Sequence, residues 1–289
     1  MAATPSGLDS ASVVSFQKHL ATSTRIVAIL GAGLSASSGL PTFRSADGLW
    51  CSHDVQMIAT PAGWRRDPGL VWQFYSERRR KALRAQPNSA HYALTELAKI
   101  KPGFVALSQN VDGLLQRAGM GEGDPKGQLK LLHGNLFDLR CASGCGYEER
   151  GNFDDPLSPG DDAPKVSDSA PVLKSGIEES ELPQCPSCKS GLLRPGVVWF
   201  GEGLPQDVMD EVDALFDEEK IDLCLVIGTS SLVWPAAGFA EQARNKGARI
   251  ATVNMNINDA KNVRKGDWVF IGDAAVVVPE ILGLTQLRG

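Results

Sequence analysis

The chain has 289 residues, 43% of them apolar and 22% charged, with a net charge of −5. Those totals allow one large domain, or a large and a small one, each with a proper core; they exclude disorder, a membrane span and a general nucleic-acid binder. Six cysteines are too few for a disulfide scaffold at this length, and four of them fall in two short-spaced pairs, which points to a reducing compartment and a metal. In chain order, residues 10–22 read as an amphipathic helix, and Met1–Leu20, with Asp9 and no arginine, has neither a signal-peptide core nor the character of a transit peptide. Ile26–Leu30 is a continuous apolar run, as a strand buried on both faces requires. Gly31-Ala32-Gly33 breaks it into a tight turn that lets a ligand approach the backbone, and Ser35, Ala36 and Ser37 offer a helix start whose N–H groups attract a phosphate. Strand, glycine turn and helix start make half of a dinucleotide-binding unit, with Ala36 in the third small position. Read alone, the same letters also fit an ordinary strand-to-helix connection. Pro41 ends that helix, and Thr42, Phe43 and Arg44 follow on a loop suited to closing over a bound cofactor.

A helix-rich region then runs between Pro61, Pro68 and Pro87. In it Leu70–Leu83 sets apolar residues on one face and arginines on the other, and Asn88–Ile100 is a second amphipathic helix. Strands are expected at Phe104–Leu107, Leu129–Leu132, Val197–Phe200, Leu223–Ile227, Arg249–Asn254 and Trp268–Ile271, with helices at Asp207–Phe216 and Pro235–Lys246. Such alternation means an α/β fold, a mostly parallel sheet with helices on both faces. Residues 136–194 differ, because cysteine pairs there flank an acidic Pro/Ser/Gly-rich loop over 152–183.

Cys141-x3-Cys145 and Cys185-x2-Cys188 supply four thiolates as two knuckles, which suits a tetrahedral, fully sulfur-ligated and therefore structural zinc. Cys224 belongs to an apolar strand, and Cys51 has no assigned role. His133 closes a strand and precedes a glycine, so it sits at a carboxyl end, where ligands bind in open α/β sheets, and is the general-base candidate. His19, His53 and His91 read as bland. Gln109, Asn110 and Asp112 also follow a strand; they suit contacts to a ribose and an amide, or equally a polar turn with Asp112 capping a helix. Gly228-Thr229-Ser230 and Asn254-Met255-Asn256 close two more strands with small hydroxyls and amides.

The segments GAGLSASSGLPTFR, SQNVDGLLQRAG, LHGN, the four cysteines, RPGVVWFGE, GTSS and Asn254 stand in the order of the sirtuin family, and the resemblance covers residues 25–280. It implies a Rossmann-like NAD-binding domain (1–47, 101–135 and 195–289) and a small domain made of a helical segment (48–100) and an inserted zinc module (136–194). It implies NAD as co-substrate and one structural zinc. Gly31, Ala32, Gly33, Ser35, Ala36, Thr42, Phe43 and Arg44 would meet NAD, with Gln109, Asn110 and Asp112 at the nicotinamide ribose. Gly228, Thr229, Ser230, Asn254, Asn256 and Ala274 would border the adenosine half. In the family's reaction the acyl oxygen of an acylated lysine attacks the ribose as nicotinamide leaves, and the His133 position deprotonates a ribose hydroxyl; Asn110 and Asp112 complete the catalytic set. The substrate peptide would pair as a strand between Phe200–Gly203 and Val233–Ala236, with Val198, Phe200, Gly201 and Glu202 lining its path.

Tyr75 and Arg78 lie at i and i+3, a hydroxyl and a guanidinium of the kind a distal carboxylate needs, and with Ala59 they resemble the acidic-acyl pocket of class III sirtuins. The expected activity is removal of succinyl, malonyl and glutaryl groups from protein lysine, giving O-acyl-ADP-ribose. A general deacetylase, a low-turnover NAD sensor and a mono-ADP-ribosyltransferase are the alternatives. Two features depart from the family's commoner pattern: Leu115, where many members have a histidine, and the three-residue first knuckle. The partners expected are acylated proteins, with no nucleic acid or membrane, for an intracellular monomer of cytoplasm or nucleus, the mitochondrial matrix remaining open.

Overall fold

The structure is a computed structural model, and it describes residues 7–42, 49–50, 53–121, 127–157, 177–217, 220–230, 234–260 and 262–285. Helix α1 (Ser10–Thr22) starts where Asp9 accepts the free amides of Ala11 and Ser12, and it leads into β1 (Ile26–Leu30), buried along its whole length. A seven-residue 3₁₀ turn follows over Ala32–Ser38, stopped by Gly39 in the left-handed conformation. In place of the expected α-helix there are about two turns of 3₁₀ helix, ended two residues before Pro41.

The hairpin β2 (Leu49–Trp50) and β3 (His53–Asp54) precedes α2 (Val55–Ile58), α3 (Pro61–Arg66) and α4 (Pro68–Arg84). Pro61 and Pro68 start α3 and α4, where a missing N–H costs nothing, instead of interrupting a helix. After α5 (Ser89–Ile100) come β4 (Phe104–Ser108), the short α6 (Leu114–Arg117) and β5 (Leu129–Leu131). Strands β6 (Gly134–Cys141), β7 (Glu148–Glu149) and β8 (Leu193–Val197) form a separate antiparallel sheet in the order β7-β6-β8. The chain finishes with α7 (Gln206–Asp217), β9 (Leu223–Ile227), α8 (Ala236–Asn245), β10 (Arg249–Asn254), β11 (Trp268–Ile271) and α9 (Ala274–Ile281).

The large sheet runs β11-β10-β9-β1-β4-β5, every pair parallel. Side chains alternate across β1. Ile26, Ala28 and Leu30 face a core shared with Phe16, Leu94 and Val278, whereas Val27 and Ile29 face Val212, Phe216 and Phe239. Helices α1, α5 and α9 thus cover one face and α7 and α8 the other. Phe16 meets Trp268 and Phe270 edge-on at 5.4 and 5.6 Å, an aromatic geometry that adds about 1 kcal/mol per pair to the burial itself.

Two expectations need correction. The strand placed at Val197–Phe200 is instead β8, and it pairs antiparallel with β6 in the small sheet, so 195–197 does not continue the parallel alternation. Helix α5 packs its Ala90, Ala93, Leu94 and Leu97 into the core of the large sheet and so stands apart from the rest of the 48–100 segment. On α4 the sequence also left unmarked that Arg79 is 2% exposed and donates to the carbonyls of Leu136, Asn152 and Asp154. Those carbonyls come from distant chain segments, so nothing local in the sequence signals them. Among the described residues no helix is long and apolar enough to cross a membrane.

Candidate active site

The parallel register brings the strand ends together. Leu30 pairs with Ser108 on one side and with Ile227 on the other, so Gly31, Gln109 and Gly228 leave the sheet side by side. The order of strands reverses at β1, the switch point at which open α/β sheets bind ligands. Here Gly33 donates to the Gly228 carbonyl at 2.8 Å, and Gly228 adopts φ 62°, where a Cβ would lie 2.4 Å from the Leu34 nitrogen. The glycines of the first turn thus serve a backbone-to-backbone contact with the β9 loop. Ala36, expected to need smallness for helix packing, is exposed and carries no such contact.

Hydrogen bonds knit the crevice. Gln109 donates from Nε2 to Thr229 Oγ1 at 3.2 Å, and Asn254 donates from Nδ2 to the Thr229 carbonyl at 2.8 Å. Asn256 caps a short 3₁₀ turn by accepting from Asn258, and Ser37 donates to Asp273, the N-cap of α9 just before Ala274. Asn110 spends both amide hydrogens, on the Gly31 carbonyl (3.1 Å) and on Ser35 Oγ (3.3 Å). Its Oδ1 is left as an acceptor. Ser35 in turn donates to Asp112 Oδ2 at 2.7 Å, while Asp112 Oδ1 accepts from the Leu114 amide. Asp112 thus makes a polar turn at the start of α6 and ties that turn to Ser35 of the glycine turn. Burial raises its pKa against those hydrogen bonds. Ala32 belongs to the glycine turn itself and Ser230 follows Thr229 on the loop after β9. Phe43, Arg44 and Val233 lie outside the described residues, as does Cys51.

His133 follows β5, with Nδ1 3.1 Å from the Gln109 carbonyl oxygen. A carbonyl only accepts, so Nδ1 carries the proton and Nε2 is the free base. Burial holds the ring below its ordinary value, with the Gln109 bond opposing, so His133 is neutral and able to take a proton at pH 7. Its own carbonyl accepts from Val198 at 2.9 Å, which ties the base to the opposite wall.

That wall is aromatic. Ala59, Tyr75 and Trp199 are buried in one cluster with Phe74 and Trp50, and the Phe200 amide donates to the Ala59 carbonyl at 2.9 Å. Tyr75 stacks towards Trp199 with ring centroids 6.5 Å apart, and burial raises its phenol further, so it stays a neutral hydrogen-bond donor. The Arg78 guanidinium lies 3.6 Å over the Phe74 ring, and burial pulls its pKa down to about 10, which leaves it cationic. Phe200 is 40% exposed beside Gly201, which stands in the left-handed conformation. Glu202 is already committed: it accepts from Arg194 at 2.6 and 3.0 Å, from Arg140 at 3.0 Å and from the Trp199 amide at 2.8 Å. Its carboxylate fixes the loop by joining β6 and β8 to the Trp199 backbone. Arg194 also stacks on Trp199 at 3.2 Å, a contact sequence reasoning missed, although an arginine eight residues before a glutamate was a usable signal.

The Sγ atoms of Cys141, Cys145, Cys185 and Cys188 all lie within 4.8 Å of one another, with Cys141–Cys188 at 3.8 Å and Cys145–Cys185 at 3.6 Å. A tetrahedron of Zn–S bonds near 2.3 Å has edges of about 3.8 Å, so the cage fits zinc with no position left for substrate. Gly191 makes that cage possible, because a Cβ there would sit 2.4 Å from Ser143 Oγ and 3.0 Å from Cys141 Sγ. The amides of Ser190 and Gly191 hold the Cys188 thiol down to about 6, favouring the thiolate. Cys224 is buried and its thiol pushed up to about 12, as core placement demands.

The Sir2 family profile matches residues 31–235. An "NAD-dependent protein deacylase" of Candida albicans is 43% identical, covering 91% of this chain and 94% of that protein. The "NAD-dependent protein deacylase sirtuin-5, mitochondrial" of Danio rerio is 40% identical over 94% and 87% respectively. Among solved structures, a Sir2 homolog–NAD complex superposes with TM-score 0.74 at 33% identity, covering 98% of this chain and 96% of that one. A Sir2–p53 peptide–NAD complex superposes with TM-score 0.71 at 26% identity, covering 94% and 98%.

Proposed function

The chain belongs to the Sir2 family, and from that premise we propose that it is an NAD-dependent protein-lysine deacylase that prefers acidic acyl groups. NAD supplies an electrophilic ribose carbon once nicotinamide departs; the protein supplies orientation, dryness and a base. The crevice fits such a ligand because its polar groups point inward already braced, with Asn110 Oδ1 left as an acceptor beside Asp112. Gly31–Thr42, Phe43, Arg44, Gln109 and the Gly228–Ser230 loop would hold NAD, Ala274 and Asn256 bordering its far end. His133 Nε2 would take the ribose proton, and the buried walls would exclude water. An acylated peptide would lie along Val198–Gly201 and towards Ala236.

One observation carries the acyl preference: the Arg78 guanidinium is drawn into the aromatic wall beside Tyr75 yet forms no ion pair with any described carboxylate. Glu77, its neighbour, turns instead to Trp50 and Lys81. A guanidinium that loses hydration with no ion pair among the described carboxylates is poised for an anion brought by the substrate, and the small Ala59 lies in the same wall. The vertebrate relative carries "mitochondrial" in its name, and we assign this chain to a reducing compartment because the knuckle cysteines must stay thiolate.

The test is product analysis with matched succinyl-, malonyl-, glutaryl- and acetyl-lysine peptides and NAD. The reading expects nicotinamide and the O-acyl-ADP-ribose in equal amounts, fastest from a dicarboxylic acyl group. Label transferred from NAD onto protein without loss of an acyl group would contradict it.

A further inference from the structure

Trp199 stands between Val198 and Phe200, both assigned to the peptide path, and nothing in that stretch of sequence marks its indole for a task. In the fold the residue is held from three sides. Its backbone amide donates to Glu202 at 2.8 Å, the Arg194 guanidinium lies 3.2 Å over the ring, and Trp64 packs with ring centroids 5.5 Å apart. Arg194 is fixed in turn by its two bonds to Glu202, at 2.6 and 3.0 Å. The indole therefore has one orientation. Trp199 is only 3% exposed, yet its Nε1 has no hydrogen-bond partner among the described residues. A buried donor left bare is costly, so such an N–H points to an acceptor that reaches it when the site is filled.

The acceptor at hand is the phenol of Tyr75. The two rings are stacked with an interplanar angle of 27°. The indole N–H is near enough to the phenol oxygen to favour negative charge there, although it closes no bond. Tyr75, itself 4% exposed, makes no hydrogen bond to any described residue. Its proton is thus unassigned. A phenol O–H lies in the plane of its ring and has two directions to choose from; an N–H donated to the oxygen occupies one side and leaves the other to the proton. Arg194 adds to this, because a cation on the π face draws electron density from the indole and makes its N–H a better donor.

We propose that Trp199 is a positioning residue of the acyl pocket: its indole N–H donates to the Tyr75 oxygen and so turns the phenol proton onto the distal carboxylate of a dicarboxylic acyl group. This rests on the acidic-acyl reading above. Arg78 supplies the charge, and Trp199 acting through Tyr75 supplies direction. The row from indole to phenol to carboxylate is cooperative, since each bond polarises the next. An acetyl group brings no distal carboxylate for the phenol to meet, so the relay discriminates between acyl groups instead of serving all of them alike.

The test is kcat/KM for matched succinyl- and acetyl-lysine peptides on the full chain. Trp199→Phe keeps an aromatic ring under Arg194 and removes the N–H. Benzothienylalanine in place of Trp199, the same bicycle with sulfur instead of N–H, repeats the deletion without leaving a cavity. Each is expected to lower the succinyl-to-acetyl ratio by roughly five- to tenfold, the scale of one hydrogen bond. In a Tyr75→Phe background the same changes are expected to move the ratio by less than about twofold, because the group through which Trp199 acts is gone. The ¹H–¹⁵N signal of the Trp199 indole is expected to move downfield when the succinyl-lysine peptide binds, and to stay in place in Tyr75→Phe. A ratio unmoved by benzothienylalanine, with both activities falling together, overturns the relay and leaves Trp199 a packing residue. An undiminished effect in the Tyr75→Phe background, or an indole signal that ignores the peptide, overturns the action through Tyr75. A wild-type chain that turns over the two peptides equally overturns the acidic-acyl reading itself, and the relay with it.

Discussion

The two walls of the cleft are built in opposite ways. The NAD wall is set by backbone: three parallel strands in register, a glycine turn bonded to the Gly228 carbonyl, and polar side chains braced by main-chain groups. The wall proposed for the acyl group is set by side chains from separate pieces of chain, Ala59, Tyr75, Arg78 and Trp199, packed together and tied through Glu202 to the small sheet. Backbone geometry tolerates few sequences, whereas a stack of side chains can be exchanged one residue at a time. On the proposed function, the first wall therefore dictates the reaction and the second its substrate.

Removing zinc should separate the walls most sharply. Trp72 of α4 packs against the cysteine cluster and donates to the Leu193 carbonyl at 2.9 Å, so loss of the metal is transmitted to the helix that carries Tyr75 and Arg78. Chelation, or Cys188→Ser, is expected to abolish deacylation while ADP-ribose binding, followed by calorimetry, weakens by no more than about threefold. Equal loss of both would mean the walls are one cooperative unit.

Next in size, His133→Ala should lower kcat by roughly 10²–10⁴ with NAD affinity nearly unchanged, since a general base acts in the transition state. A matching rise in the NAD dissociation constant would make His133 a binding residue. Because burial depresses its pKa, the acid limb of kcat should fall below pH 6.5, the ordinary histidine value.

His91 makes stability depend on pH. Its ring is neutral in the fold down to about 4 but becomes cationic in the unfolded chain near 6.5. Between those values the unfolded chain binds the extra proton, so stability is intact above pH 6.5 and declines as pH drops towards 4, by on the order of 3 kcal/mol. Denaturant melts across that range, compared with His91→Gln, should show the decline shrinking in the variant. An identical slope would assign the loss to other groups.

The smallest expected effect is at Glu202→Gln, where Arg194 and Arg140 lose their shared carboxylate. It should cost about 2 kcal/mol of stability and raise the KM for peptide several-fold, with the NAD KM unmoved.

The contrast between the walls also explains what the sequence disclosed. Ile26–Leu30, Leu223–Ile227 and Arg249–Asn254 were legible as strands because burial on both faces forces continuous apolar runs, and their polar successors then fell at the carboxyl ends. The cysteine cage was legible from spacing alone. Helix α9 was not, since Ala274–Ile281 is rich in β-branched residues and holds Pro279, and only packing against α5 and α1 makes it helical. The burial of Arg79 was not legible, because the carbonyls that receive it come from Leu136, Asn152 and Asp154, far away along the chain. β8 was misplaced because Val197–Phe200 is the more apolar run, whereas the pairing falls on Leu193–Val197, proline included. His91 looked bland since its Nε2 partner lies on another element.

The most direct measurement is kcat/KM for matched succinyl- and acetyl-lysine peptides, by wild type and by Arg78→Met. The account predicts a succinyl preference that falls by roughly 10- to 100-fold in the variant, the worth of a charge-assisted hydrogen bond, while weak deacetylation survives. Equal turnover of the two peptides, unaffected by the substitution, would contradict it and return Tyr75 and Arg78 to the aromatic core.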